Sequence, residues 1–345
     1  MKVLVTGHLG YIGTILVPML QAEGHEVHGL DSDLFEGCDY GKPAATIPSV
    51  RKDIRDVELA DVAGYDAILH LAGLSNDPLG HFDAALTDEI NHKATVRLAQ
   101  LAKQAGVERF VFSSSCSTYG AAGDEFVTET AALNPVTPYG RSKQDAEVGL
   151  SALADETFTP VYLRNATAYG LSPRLRFDLV VNNLTAWGYT TGQVRLKSDG
   201  LPWRPIVHIA DISRAFIAAM TAPAELVRDT AFNIGRTSEN FRIREIAEAV
   251  HSRLPESEVG FAEDAEADIR TYRVSFTKAE NDLPGYTPSW TLVEGIDELI
   301  AAFDSIGLKP REYEEAKYSR IASLKAKVAS GEIGLDLRCR EIADA

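Results

Sequence analysis

Tyr139 and Lys143 stand four residues apart in Pro138-Tyr139-Gly140-Arg141-Ser142-Lys143, a spacing that places both on one face of a helix. A phenol titrates near pH 10 and is a weak base at neutrality. A lysine ammonium beside it favours the phenolate, and so does the positive charge of an oxidised nicotinamide; together they draw the phenol toward the working range. Tyr139 would then move the proton of a hydride transfer, and Lys143 would also reach the nicotinamide ribose. Upstream, Phe112-Ser113-Ser114-Ser115-Cys116-Ser117-Thr118-Tyr119-Gly120 carries an apolar run out into hydroxyls. A hydroxyl there can donate to an oxygen that becomes a carbonyl. Each motif alone also occurs as an ordinary helix face or a polar strand exit.

Anion handling falls to Thr6-Gly7-His8-Leu9-Gly10-Tyr11-Ile12-Gly13, directly after Val3-Leu4-Val5. Glycines at such positions permit a tight turn, close approach of backbone to a pyrophosphate, and close packing of helix on strand. The helix start that follows offers N–H groups and a partial positive charge. Gly7, Gly10, Tyr11, Ile12 and Gly13 are therefore expected cofactor contacts. Asp31, 18 residues beyond Gly13, can accept both adenosine ribose hydroxyls and would repel a 2′-phosphate. Ser32-Asp33 follows without an arginine, which favours NAD over NADP. Asp53-Ile54, after a third apolar run, is an expected adenine contact. His8 reads as a surface imidazole or a phosphate neighbour.

These groups meet only if strands end where the chemistry begins. Residues 2–6, 26–31, 66–71, 108–113 and 159–164 read as buried strands, and 86–104 and 139–154 as helices. Their alternation predicts an α/β fold, a doubly wound parallel sheet of the Rossmann type that binds ligands at the carboxyl ends of its strands. Past Gly170 the alternation loosens. Helical patterns at 177–188, 211–220 and 242–253 interleave with strand-like 205–208 and 232–234. The expected organisation is a cofactor domain over 1–170, with 205–235 returning to it. A smaller interleaved α/β substrate domain occupies 171–204 and 236–310, and a tail of helical period covers 311–345.

The 345 residues carry 34 Lys and Arg against 50 Asp and Glu, a net charge of −16. That balance argues against nucleic-acid backbones and anionic membrane surfaces as partners. Cys38, Cys116 and Cys339 are scattered, so neither a disulfide framework nor a metal-ligand spacing is expected. The apolar run at the N-terminus is broken by glycines, and no stretch approaches 18 apolar residues. A soluble, cytoplasmic protein is the expectation.

The set TGxxGxxG at 6–13, Asp31, His70-Leu71-Ala72-Gly73, Asn91, Ser115, Tyr139 and Lys143 resembles the extended short-chain dehydrogenase/reductase superfamily. More narrowly, residues 1 to about 300 resemble its nucleotide-sugar epimerase and dehydratase branch. The resemblance implies NAD as cofactor and adds Leu71, Ala72, Gly73, Asn91 and Ser113 to its contacts. It places the catalytic hydroxyl four residues before the Tyr of the Tyr119-Gly120 pair, at Ser115. For the sugar nucleotide it implies Arg204 and Arg270 at the diphosphate, Asn183 and Leu184 at a helix start, and Leu196 against the base. Ser115, Cys116, Ser117, Tyr139 and Thr167 would lie beside the sugar. Pro205 stands where the branch has Asp, and Thr167 where it has Asn. Dehydratases of the branch carry an Asp-Glu pair at the positions of Cys116-Ser117, so elimination lacks its acid and base here. A 4-epimerase acting through a transient 4-keto sugar is implied. A ketoreductase or dehydrogenase, or a C3/C5 epimerase using Cys116, are the alternatives, Cys116 otherwise being a small buried filler. A homodimer through the two long helices is also implied. His208 reads as a group behind the site or a satisfied strand histidine.

Overall fold

A computed structural model of the chain describes residues 1–41, 46–75, 83–261 and 271–340. Seven strands, β1 (Lys2–Thr6), β2 (Glu26–Asp31), β3 (Ser49–Arg51), β4 (Ala67–His70), β5 (Arg109–Ser115), β6 (Thr159–Asn165) and β7 (Thr230–Ile234), form one sheet. Its order is β7-β6-β5-β4-β1-β2-β3 with every pair parallel. All four residues of β4 and all seven of β6 are buried, as strands covered on both faces must be.

The longer helices are α1 (Gly13–Ala22), α2 (84–104), α3 (Pro138–Ser151), α4 (Val180–Thr191), α5 (Ile209–Thr221), α6 (Ile243–Arg253), α7 (Leu292–Ile306) and α8 (Arg320–Ser330). On one face of the sheet Leu16 and Leu20 of α1 and Phe216 of α5 close on Val3, Val5, Val111 and Val161. On the other, Leu98 of α2 and Ala146 and Leu150 of α3 close on Leu4, Ile68, Phe110 and Phe112. Each fully buried side chain of Leu or Phe size contributes about 1.5–3 kcal/mol, so these two layers fix the sheet. Strand order reverses between β1 and β4, which opens a crevice at their carboxyl ends.

One expected strand of the second half is placed elsewhere, and short strands not expected there also form, such as Gln193–Leu196 beside Glu258–Phe261. Trp203–His208 does not join the large sheet; it pairs parallel with Thr167–Tyr169 and antiparallel with Asn240–Arg242. Pro205 is accommodated because it faces Asn240 and the parallel ladder starts only at Ile206. A third core joins α4, α6 and α7 through Val181, Leu184, Ile246, Val250, Ile296 and Phe303. His208 is satisfied and buried. Its Nδ1 accepts the Ala210 N–H, its Nε2 lies 2.9 Å from Glu298, and its ring stacks on Trp290 at 3.8 Å.

Two helices depart from their expected course. A π turn over Glu89–Lys93 interrupts α2. It carries Asn91, whose side chain holds both the N–H and the carbonyl of Leu74, at 2.7 and 2.9 Å. The tail becomes helical only at Arg320, where Ser319 caps by accepting the Ala322 N–H; a single short turn, Glu312–Glu314, precedes it. Beyond α8, Ile333 and Leu337 join the core that holds Leu30, Ile54 and Leu98. Among the described residues no helix is long and apolar enough to cross a membrane.

Candidate active site

β1 ends at Thr6 and the chain turns at Gly7 with φ +76°. A Cβ at Gly7 would lie 2.7 Å from the Ala72 nitrogen, and one at Gly13 would lie 2.4 Å from the Gly7 oxygen. Only glycine fits either place. Ile12 occupies the cap position of α1 and no side chain caps that helix, so an anion can occupy its start. The Asp31 carboxylate accepts the N–H groups of Leu9 at 3.0 Å and Asp33 at 2.9 Å, bracing the glycine loop while lining the cavity. Asp53 is gripped by Arg55 through backbone N–H, Nε and Nη2. Burial opposes the charge of Asp53, but these bonds outweigh it and hold the carboxyl below its ordinary value. A backbone cradle, an open helix start and the Asp31 carboxylate together fit a dinucleotide.

His8 is not at the surface. It is buried against β2, where a Cβ on Gly29 would come within 2.5 Å of its ring, and burial lowers its pKa. Glycine at 29 leaves the room that the imidazole fills. His70 bridges Thr6 and Thr95 at 2.6 and 2.8 Å. Thr95 already donates to the Asn91 carbonyl, which assigns the proton to His70 Nε2 and leaves Nδ1 to accept from Thr6. Burial, then the Lys143 charge, pushes His70 down to about 3, so it ties β1, β4 and α2 as a neutral ring.

Thr137 caps α3 by accepting the Gly140 N–H at 3.1 Å, with Pro138 in the first turn. Tyr139 is therefore set half-buried at the cavity, with Lys143 one turn behind. Lys143 Nζ donates to the Ser113 carbonyl at 2.7 Å and lies 5.7 Å from the centre of the Tyr139 ring. Burial brings the Lys143 ammonium down to about 7, while Glu147, a further turn along, pulls it back up. Ser115 Oγ accepts both the Ser117 N–H at 3.1 Å and the Ser117 hydroxyl at 3.0 Å. Its own O–H remains the outgoing donor into the cavity.

One cavity of about 860 Å³ joins these groups. Gly7, Gly10, Tyr11, Ile12, Gly13, Asp31, Asp53, Ile54, Leu71, Ala72, Gly73 and Ser113 line it with Ser115, Ser117, Tyr139 and Lys143. Thr167, Asn183, Leu184, Leu196 and Arg204 line the same cavity. Asn91 is placed otherwise than expected: it stands behind the cavity and secures the Leu74 segment. Cys116 corrects a second expectation. It is fully buried, donates to the Arg164 carbonyl at 3.1 Å, and does not line the cavity; burial pushes its thiol pKa up. The turn after β5 opens Ser115 and Ser117 to the site and directs Cys116 into the core. Arg270 lies outside the described residues.

Several lining residues escaped the sequence reading. Asn165 presents a buried Oδ1 without a partner among the described residues, while its Nδ2 donates to Ser113 Oγ at 3.2 Å. Arg174, Arg176 and Arg320 converge from two distant segments. Beneath the Tyr139–Lys143 face, Glu147 receives Ser114 Oγ at 2.5 Å and Arg164 Nη2 at 2.7 Å, all three groups buried. The spacing Tyr139, Lys143, Glu147 was the available signal, because an acid on that buried face requires a partner.

The chain matches the family model described as "NAD dependent epimerase/dehydratase family" over residues 3–235. It is 29% identical over 313 residues to the UDP-glucose 4-epimerase of Mycolicibacterium smegmatis, covering 88% of this chain and 98% of that one. Among solved structures it is similar to MoeE5 in complex with UDP-glucuronic acid and NAD, with a TM-score of 0.76 and 27% identity, covering 89% of this chain and all of that one. The UDP-glucose 4-epimerase of Thermus thermophilus in complex with NAD is similar at a TM-score of 0.74 and 26% identity, over 88% and 99% of the two chains. With its parallel sheet, its glycine cradle and a match spanning two thirds of its length, the chain belongs to the NAD-dependent epimerase/dehydratase family.

Proposed function

We propose that this enzyme inverts C4 of a nucleotide-diphosphate sugar through a transient 4-keto intermediate. The observation that carries the reading is that Ser115, Tyr139 and Lys143 share one cavity with Leu196 and Arg204 while no carboxylic acid stands at 116 or 117. NAD, the family's cofactor, supplies the acceptor and the donor of hydride. Tyr139 takes the proton of the C4 hydroxyl, and Ser115 donates to the same oxygen as it becomes a carbonyl. Lys143 holds the phenolate by its charge. On return the roles reverse, Tyr139 giving its proton back after the sugar has presented its other face. Arg204 would meet the diphosphate with the forked geometry that suits it, and Leu196 would pack on the base. UDP is the first nucleotide to test, since UDP-sugars occur with the similar proteins.

The test is incubation with UDP-, GDP-, CDP- and TDP-sugars followed by NMR. One sugar nucleotide should relax to a mixture of C4 epimers without net change in the cofactor; stoichiometric formation of reduced nicotinamide would establish the dehydrogenase alternative instead, and its stoichiometric consumption the ketoreductase. Cys116→Ala should leave initial rates within about twofold, because the thiol faces the Arg164 carbonyl and not the cavity. A loss of tenfold or more would restore Cys116 to the chemistry.

A further inference from the structure

The glycine cradle is fastened to a segment far along the chain. Tyr11 donates its hydroxyl proton to the Gly170 carbonyl at 2.7 Å, and Ser172 Oγ donates to the Tyr11 carbonyl at 2.8 Å. Ser172 Oγ also lies 2.9 Å from Thr14 Oγ1. Residues 170–172 are thus stitched to the start of α1, and the arginines that follow, Arg174 and Arg176, are brought to the same end of the cavity. Arg174 pairs with Asp33 at 3.1 Å and Asp39 at 2.9 Å. Arg176 pairs with Asp178 through Nε at 3.1 Å and Nη2 at 2.7 Å.

Arg320, the first residue of α8, joins them from the tail. It is 8% exposed, lines the cavity and lies 4.3 Å over the Phe35 ring. Among the described residues it makes no ion pair, and its one hydrogen bond is a long one, Nη2 to the Arg174 carbonyl at 3.5 Å. Burial, then the Arg176 charge, draws this guanidinium down to about 10. Asp178, already paired with Arg176, pulls it partly back up without forming an ion pair with it. An enclosed cation with no ion pair is costly, and an anion in the cavity offsets that cost. The segment beyond α8 closes the same end. Leu337 lines the cavity, Arg55 Nη2 donates to the Asp336 carbonyl at 2.9 Å, and Arg338 pairs with Asp56.

We infer that Arg320 is a cofactor-binding residue, giving its guanidinium to the dinucleotide pyrophosphate and making the C-terminal tail a wall of that site. The matched family region ends at residue 235, so this contact lies outside it. The inference holds whichever sugar is turned over.

Arg320→Gln and Arg320→Lys in the full chain, titrated calorimetrically with NAD, ADP and adenosine, test it. Arg320→Gln should weaken NAD and ADP about tenfold or more and leave adenosine unchanged. The melting temperature without ligand should hold or rise, since a buried cation without an ion pair has been removed. Arg320→Lys should keep ADP affinity within about threefold. The inference falls if ADP affinity is unchanged, if adenosine weakens in parallel, or if Arg320→Gln melts several degrees lower or does not fold, any of which makes the residue an anchor of the tail.

Discussion

Tyr139→Phe should lower turnover by about 10²–10⁴, the usual contribution of a placed acid–base group, while NAD binding stays within about twofold. The ring remains to fill its place at the start of α3, and Lys143 still reaches Ser113. What disappears is the oxygen proposed to move the proton. Ser115 is poorly suited to replace it, because its oxygen already accepts two bonds from Ser117 and it acts toward the cavity as a donor. Initial rates alongside cofactor titration check this. Unchanged turnover would move the chemistry to another residue.

Glu147 carries the second large effect, and on stability. Glu147→Ala would leave Arg164 buried without its carboxylate and Ser114 without its acceptor. Removing one partner of a buried pair costs about 3–5 kcal/mol, which denaturant unfolding would read; a loss under about 1 kcal/mol would show the pair to be dispensable. Glu147→Gln keeps the shape and isolates the electrostatics. The carboxylate raises the Lys143 pKa, so its removal lets Lys143 lose its proton at a lower pH. The phenolate then loses its ammonium sooner as pH rises, and the alkaline limb of the rate profile should shift downward. An unmoved limb would show that Lys143 does not set it.

β1 and β2 were legible to the residue, since Val3-Leu4-Val5 is an unbroken buried apolar run that stops at Gly7, and Val27 to Leu30 lies between the charges of Glu26 and Asp31. The Tyr139–Lys143 face was legible because a helix repeats every three to four residues. Less was legible where contacts come from remote segments. Nothing near Arg320 in sequence announces Phe35 or Arg174, and nothing near Glu147 announces Arg164. Cys116 proved the small buried filler and not a group beside the sugar, because adjacent residues at the turn after β5 face different ways, so its neighbours' exposure said nothing about its own. His8 misled because the space it fills is made by an absence, the missing side chain of Gly29.

The bare start of α1 reaches beyond binding. A protein that caps this helix with its own serine or aspartate holds it equally well empty or loaded. Here Ile12 supplies no such group, and the ligand takes the part of a missing side chain. Because an unfolded chain has no cradle to offer, free dinucleotide shifts the folding equilibrium itself, by about 1.4 kcal/mol for each tenfold excess over its dissociation constant. Persistence of the folded molecule is therefore linked to the supply of its cofactor. Scarcity would thin the population of folded enzyme, quite apart from slowing whatever copies remained.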